Sequence, residues 1–421
     1  MSKARVVSAV DIGSSKIACL IAQVELDSVT YETSVNILGA ASNDSRGVKR
    51  GQIVDIEAAV ESTIVAVEAA ERMAGYNLDR AYISVGGGHI TSQNSTGVVA
   101  VSSAKGEVSE VDVERVIEAA RAISIPTSRE VIHVVPRMFI VDGEGGVKDP
   151  IGMSGVRLEV DTHLVTASSP ALKNLTKAVS EVGVNIDGIV FNGYASSMAV
   201  LTDTERELGC LLVDVGGGST SVAVFIDGAL SYSSTIPIGS VNVTNDLAIG
   251  LRVSLDSAER IKLTLSDPKK QKEESGSGKK DQIDISELGA TESKKVSRRT
   301  VVEGIIRPRL NEIFTMVKLD LEKANLVNKI PSGAVITGGG ALTVGAEDAA
   351  KRMLGLPIRL GKPGGVGGLI DDIITPSFAT SIGLVLYGAG EAEPQQTDKP
   401  SLPDLSFLTK QIKKLREKLP F

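Results

Sequence analysis

The segment Leu211–Val224, LLVDVGGGSTSVAV, decides how the rest of the chain is read. An apolar run ends at Asp214, passes through Gly216, Gly217, Gly218, Ser219 and Thr220, and returns to alternating apolar residues. That pattern predicts a β-hairpin whose turn lets backbone approach something closely. Several N–H groups converging on one concavity suit phosphate oxygens. A carboxylate at the mouth, Asp214, suits a hydrated Mg²⁺. Taken alone, the stretch is accounted for equally well by a glycine-rich hairpin without a ligand. Arg5–Val24, RVVSAVDIGSSKIACLIAQV, repeats the design: a strand to Asp11, then Gly13-Ser14-Ser15-Lys16, then a second strand. Two Asp-x-Gly hairpins indicate internal duplication around a shared cleft. Lys16 adds a cation beside the first turn, useful against phosphate.

Composition narrows the classes. With 421 residues the chain is long enough for two or more domains. A formal net charge of −7 argues against a general nucleic-acid binder, and 3% aromatic residues with no Trp leave little for base stacking. Cys19 and Cys210 lie in apolar runs and read as buried, reduced thiols, too few for an iron–sulfur cluster or structural zinc site. His89, His133 and His163 are scattered and read as satisfied or exposed. Asp11 interrupts the N-terminal apolar run too early for a signal peptide, and no apolar stretch reaches the roughly 18 residues of a bilayer span. The bulk of the chain is expected in the cytoplasm.

Between the hairpins, Ile56–Met73 has helical spacing, with Ile56, Val60, Ile64, Val67 and Ala70 on one face. Tyr82–His89, YISVGGGH, has a glycine run without a preceding aspartate and reads as a domain-crossing turn. Gly97–Ala167 reads as a small α/β insertion with one helix, Ser109–Ile123, outside the phosphate cleft. After the second hairpin, Ser257–Leu265 predicts a helix on which Glu259 and Lys262 share a face, as a solvated ion pair or as a clamp on ribose and base. Asp267–Arg299 is polar, of mixed charge and Ser/Gly-containing, and reads as an exposed loop. The helix Val301–Leu321 follows, with Arg298, Arg299, Arg307 and Arg309 near its start, a solvated face or a receptor for an acidic peptide. Ala334–Leu342, AVITGGGAL, is a third glycine turn, expected to feed a helix opening at Ala341–Leu354. Pro376–Ala389 closes the domain as a helix.

Gly390–Asp404 carries three Pro and few apolar residues, as a tether would. Beyond it, in Leu405–Phe421, the positions Leu408, Ile412, Leu415 and Leu419 fall within an arc of roughly 60° on a helix. Phe407 joins this apolar set, while Lys410, Lys413, Lys414, Arg416 and Lys418 lie largely elsewhere. Cations contribute on the order of 1 kcal/mol each near an anionic leaflet. Together with the aliphatic face, that suits reversible membrane attachment by an amphipathic helix. Docking on its own domain is the alternative.

Three glycine turns in this order, two preceded by aspartate, resemble the actin/Hsp70/sugar-kinase superfamily. DIGSS looks like its first phosphate loop, DVGGGST its second and ITGGGAL its adenosine motif. AERIK is similar to the helix that contacts ribose and base in actin-like bacterial members. IGMSGVRLEVDTHLVT, NGYASSMAVLTDTERELG and the basic tail narrow the likeness, over essentially the whole chain, to FtsA, the family of bacterial actin-like cell-division proteins. The resemblance implies an α/β, duplicated actin-like fold: subdomain 1A (1–84 and 168–193), an inserted subdomain 1C (85–167) in place of the usual actin subdomain, 2A (194–256 and 333–389) and 2B (257–332, with the charged loop 267–299). A linker (390–404) and the amphipathic helix (405–421) complete the expected order.

It implies ATP, with Mg²⁺ held through water by Asp11 and Asp214, in a cleft formed by Asp11, Gly13, Ser14, Ser15 and Lys16. The second half contributes Asp214, Gly216, Gly217, Gly218, Ser219, Thr220, Glu259, Lys262, Gly338, Gly339, Gly340 and Ala341. Implied partners are further copies in protofilaments, anionic lipids, later division proteins and the FtsZ C-terminal peptide, the last carried by Arg299, Glu303 and Arg307. The implied role is to tether the FtsZ ring to the cytoplasmic face of the inner membrane at the division site. Actin has a glutamine on its connecting helix to orient the attacking water; here Met198 is expected in that place, with Asp203 or Glu205 as substitutes nearby. A thioether neither accepts a strong hydrogen bond nor takes a proton, so binding with slow or negligible hydrolysis is expected. Rival readings are a sugar kinase, which needs a base in a sugar pocket, and a PilM-like pilus scaffold, which needs no basic anchor. An Hsp70-type chaperone is disfavoured, since no peptide-binding β-domain follows.

Overall fold

The computed structural model describes residues 3–26, 33–267, 281–285, 295–369 and 372–391. The tether and amphipathic helix expected over 390–421 lie outside them, apart from Gly390 and Glu391.

β1 (Lys3–Ile12) and β2 (Lys16–Leu26) form the first Asp-x-Gly hairpin, with Ile12 opposite Ile17. β3 (Thr33–Asp44) extends it antiparallel, and a short hairpin of β4 (Val48–Lys49) and β5 (Gln52–Ile53) leads into α1 (Ile56–Ala74). Asp55 caps α1 by accepting from Ala58 N, and Gly75 ends it in the left-handed region. The face turned inward is Ala59, Ser62, Thr63, Ala66, Val67 and Ala70, with Ile56, Val60 and Ile64 half-buried at its margin. Close approach selects the small residues: a β-carbon on Gly39 of β3 would lie 2.4 Å from the Ala70 carbonyl oxygen.

β6 (Arg80–Val85) runs parallel to β1, and the chain leaves the sheet for the insertion. There β7 (Thr91–Ala100), α2 (Glu110–Arg121), β8 (Arg129–Val141), β9 (Glu144–Val147) and β10 (Arg157–Ser168) build a four-stranded sheet, order β7-β10-β8-β9. Its own small core gathers Val113, Val116, Ile117, Phe139, Leu158 and Val160. The chain returns through α3 (Ser169–Glu181) to β11 (Asn185–Phe191), parallel to β6.

α4 (Asn192–Val200) and α5 (Asp203–Leu208) lead to the second hairpin, β12 (Cys210–Val215) and β13 (Thr220–Ile226), followed by β14 (Ala229–Ile236). α6 (Val241–Leu251) and α7 (Leu255–Ser266) come next. Within the segment read as a charged loop, β15 (Gln282–Asp284) and β16 (Lys295–Ser297) pair antiparallel. The helix expected over Val301–Leu321 is α8 (Arg298–Val301), a π-helical turn Val302–Ile306 containing Gly304, and α9 (Arg307–Lys323). β17 (Ala334–Thr337), α10 (Ala346–Leu354), β18 (Ile358–Leu360), β19 (Gly367–Gly368) and α11 (Ala379–Gly390) complete the order.

The duplication is explicit in the sheets: β3-β2-β1-β6-β11 in one half and β14-β13-β12-β17-β18 in the other share order and strand direction. One core takes residues from both sheets and from α4 and α11, including Phe191, Tyr194, Ile382, Leu384 and Leu212. A second lies on the other face of the second sheet, under α6, α7, α9 and α10. Both hairpin turns therefore emerge near α4 and α11.

Candidate functional site

The two turns meet. A β-carbon on Gly217 would lie 2.5 Å from Ser15 Oγ, and one on Gly218 would lie 2.7 Å from Ser14 Oγ. Neither glycine has a positive φ, so these positions are glycine for room rather than for dihedral freedom. The first turn closes by Gly13 N donating to Lys16 O at 3.0 Å, the second by Gly216 N donating to Ser219 O at 2.9 Å. Ser240 N and Val241 N in turn donate to the carbonyls of Gly216 and Gly217, so the segment entering α6 braces the second turn.

Beneath the turns lie the two aspartates, both buried. Asp11 accepts from Ser84 at 2.7 Å and from Ser381 at 3.3 Å. Asp214 accepts from Thr380 at 2.9 Å and from Ser196. Neighbouring hydroxyls at the start of α11 thus hold one carboxylate each. Burial pushes the Asp11 carboxyl above its ordinary range and that of Asp214 up to about 6. Lys16 faces both; burial lowers its ammonium to about 8, and it donates to Ser377 O at 2.7 Å while lying 3.4 Å from the Phe378 ring centroid.

The third turn closes on the same place. Gly338, at φ +84°, presents its α-carbon to Asp214, whose Oδ1 would be 2.3 Å from any β-carbon there. Gly340 and Ala341 are buried and Gly339 is exposed. The expected helix from Ala341 does not form: Gly339–Leu342 is a 3-10 turn, and α10 starts only after Gly345, whose φ of +82° breaks helical continuity. On α7, Glu259 and Lys262 are joined at 2.7 Å, with the glutamate partly open to solvent and the lysine withdrawn from it. Lys262 is 5% exposed and also donates to Thr244 Oγ1 at 2.9 Å, which fixes it at the base of α6.

Other expectations need correcting. Thr220 is fully buried, and its hydroxyl donates to Ile238 O at 2.8 Å, so it holds the neighbouring segment instead of lining the cleft. Met198 lies well along α4; the residue heading that helix is Asn192, whose amide packs on Gly86, one turn before Ser196 on Asp214. Asn192 Oδ1 is buried without a partner. Glu205 is committed to Arg359 and to the Thr202 cap, which hold its carboxyl down at about 2, and Asp203 is exposed beside Arg206. Neither serves the cleft. The two arginines of α9 are not an uncommitted basic patch: Arg307 pairs with Glu303, and Arg309 with Asp246 and Glu312.

Among the histidines, His133 accepts from Phe191 N at 2.9 Å, while His163 lies between Asn94 and Ser233. Both thiols are free and buried. Among the described residues there is no cluster of three or more metal-ligating side chains and no helix long and apolar enough to cross a membrane.

Comparison with known proteins agrees with this architecture. The sequence model described as cell division protein FtsA matches residues 211–383, and that of the SHS2 domain inserted in FtsA matches residues 87–166. Cell division protein FtsA of Borreliella burgdorferi is 40% identical over 409 residues, covering 97% of this chain and 96% of its own. The chain belongs to the FtsA family. The Pseudomonas aeruginosa member is 37% identical over 384 residues, 91% of this chain and 89% of the relative. Among solved structures, a chain of the PilM–PilN type IV pilus biogenesis complex superposes with TM-score 0.62 at 16% identity, covering 92% of this chain and 99% of that one. MreB5 of Spiroplasma citri bound to AMPPNP gives 0.50 at 12% identity, covering 91% of this chain and 96% of that one. These two likenesses establish the actin-like fold alone. The FtsA-family insertion is the four-stranded sheet with α2, and its strand β7 rests on β14 of the second half through Ser92 and Ser233.

Proposed function

We propose that this chain binds Mg²⁺·ATP between its halves, assembles with further copies into protofilaments and tethers FtsZ polymers to the cytoplasmic face of the inner membrane at the division site. The observation that supports this most directly is the pair of facing glycine turns over Asp11 and Asp214. The donor set fits the ligand: main-chain N–H groups and serine hydroxyls for phosphate oxygens, Lys16 for charge, and two carboxylates for a hydrated hard cation. ATP, when bound, would supply a polyanion to offset the charge of Lys16. Glu259, Lys262 and the Gly338–Ala341 turn are assigned to ribose and base.

Turnover is proposed to be slow, because Asn192 at the head of α4 is one methylene shorter than the glutamine with which actin orients the attacking water, and its amide takes no proton in its place. Arg299, Glu303 and Arg307 stay the proposed FtsZ-peptide residues, beside the π-helical turn. The Glu303–Arg307 pair would then have to open or be bridged by the acidic peptide. Later division proteins are proposed as further partners. The family relationship favours this reading over a sugar kinase or a pilus scaffold.

The test is recruitment of fluorescent FtsZ to vesicles containing anionic lipid, with ATP present and phosphate release followed in the same sample. The full chain is expected to recruit FtsZ with slow phosphate release, and Leu408→Glu or Leu415→Glu to abolish recruitment. Recruitment unchanged by both substitutions would exclude the tail as anchor.

A further inference from the structure

The hairpin of β4 and β5 has a two-residue tip, Arg50-Gly51, with φ of +51° and +74°. Two consecutive left-handed residues make a type I′ turn, for which Asn-Gly is the preferred pair; arginine at the first position is strained. The tip lies across both phosphate turns. Gly51 N donates to Ser14 Oγ at 2.8 Å, leaving the serine hydroxyl proton for another acceptor. Arg50 N stands 2.9 Å from where a β-carbon on Gly218 would be. The glycine run after β6 backs the tip: a β-carbon on Gly87 would lie 2.9 Å from Arg50 O.

The Arg50 side chain is exposed and has no hydrogen bond or ion pair among the described residues. Lys16, by contrast, is held by Ser377 and Phe378. The second turn carries no cation of its own.

We propose that Arg50 reads the terminal phosphate of a nucleoside triphosphate, so that the β4–β5 tip distinguishes ATP from ADP. This rests on the nucleotide reading above. The hairpin reaches the turns from the first half, whereas Glu259, Lys262 and Gly338 approach from the second, where ribose and base are assigned. A guanidinium offers several N–H donors in a fixed plane and suits a phosphate with free oxygens. On this assignment a diphosphate would lack the phosphate that Arg50 holds.

Arg50→Asn tests this cleanly, since Asn-Gly favours the same turn while removing the cation. Binding of fluorescent ATP and ADP analogues to the full chain with Mg²⁺ is measured by anisotropy, beside the thermal midpoint. The expected result is ATP affinity lower by about tenfold or more, as for loss of a charge-assisted hydrogen bond. ADP affinity and thermal midpoint should not fall, and Arg50→Lys should recover part of the loss. ATP binding unchanged in Arg50→Asn, or ATP and ADP weakened alike, overturns the assignment. A wild-type chain that binds neither nucleotide overturns the nucleotide reading itself, and this inference with it.

Discussion

The two Asp-x-Gly hairpins share a design and divide the labour. Both place an aspartate at the last inward position of a buried strand, and both aspartates take a hydroxyl from the first turn of α11. The first turn projects serine side chains, and the second recedes to glycine where those side chains arrive. The first also carries the shared cation, Lys16. Duplication has kept the backbone and carboxylates, while side-chain volume and charge became complementary between halves. What looks like a repeated motif works as a matched pair.

Removing the shared cation should break that pairing most strongly. Lys16→Met leaves two buried carboxylates facing each other without the ammonium between them. Losing one partner of a buried charge set costs about 3 kcal/mol, read here from denaturant unfolding of the nucleotide-free chain at neutral pH. Adding Asp214→Asn should recover at least half of the loss, because the second turn depends on a lysine it does not possess. Little loss, or no recovery, would mean that each turn manages its own charge.

The strands, turns and aspartates of this pair were legible in the sequence because each is a contiguous pattern: an apolar run, Asp-x-Gly, an apolar run. Ser84, Ser196, Thr380 and Ser381 were not. Each is a single hydroxyl in a segment that reads as ordinary strand or helix, and the carboxylates meet them only once α4 and α11 pack between the sheets. Thr220 misleads for the opposite reason: it continues the motif in sequence, yet strand alternation turns it inward to Ile238. Asn192 was missed because position along α4, not residue type, decides which side chain heads the helix. The Arg50-Gly51 tip leaves a faint signal, a basic-Gly pair between short extended runs, whose place over the turns depends on long-range contacts.

Steric complementarity gives a second, smaller break. Gly217→Ala puts a methyl against Ser15, and overpacking of this kind costs about 1–3 kcal/mol. Ser15→Gly should relieve most of it in a double-mutant cycle by unfolding free energy, since the obstacle is a side chain. Gly13→Ala behaves differently, because its β-carbon would meet the Lys16 carbonyl oxygen at 2.7 Å, which no truncation removes. Additive free energies for Gly217→Ala and Ser15→Gly would show that the turns do not bear on each other.

Acidity distinguishes the halves more finely. In the folded chain, the Asp214 carboxyl is raised from 3.8 to about 6, so folding favours its protonated form. Its contribution to stability is fully present below pH 3.8 and is lost as pH rises through about 6. His133 and His163, lowered to about 3 by burial, act in the other direction below pH 6.5 and mask this in the wild type alone. They are common to wild type and Asp214→Asn, so the difference between the two proteins isolates the aspartate. Between pH 5 and 7.5, Asp214→Asn should gain about 1.4 kcal/mol on the wild type in unfolding free energy without nucleotide or Mg²⁺. Addition of Mg²⁺·ATP should reduce that gain, because a bound cation favours the ionised carboxylate. A difference independent of pH would mean that Asp214 keeps an ordinary acidity in the fold, its burial offset by the hydroxyls of Ser196 and Thr380 and by Lys16.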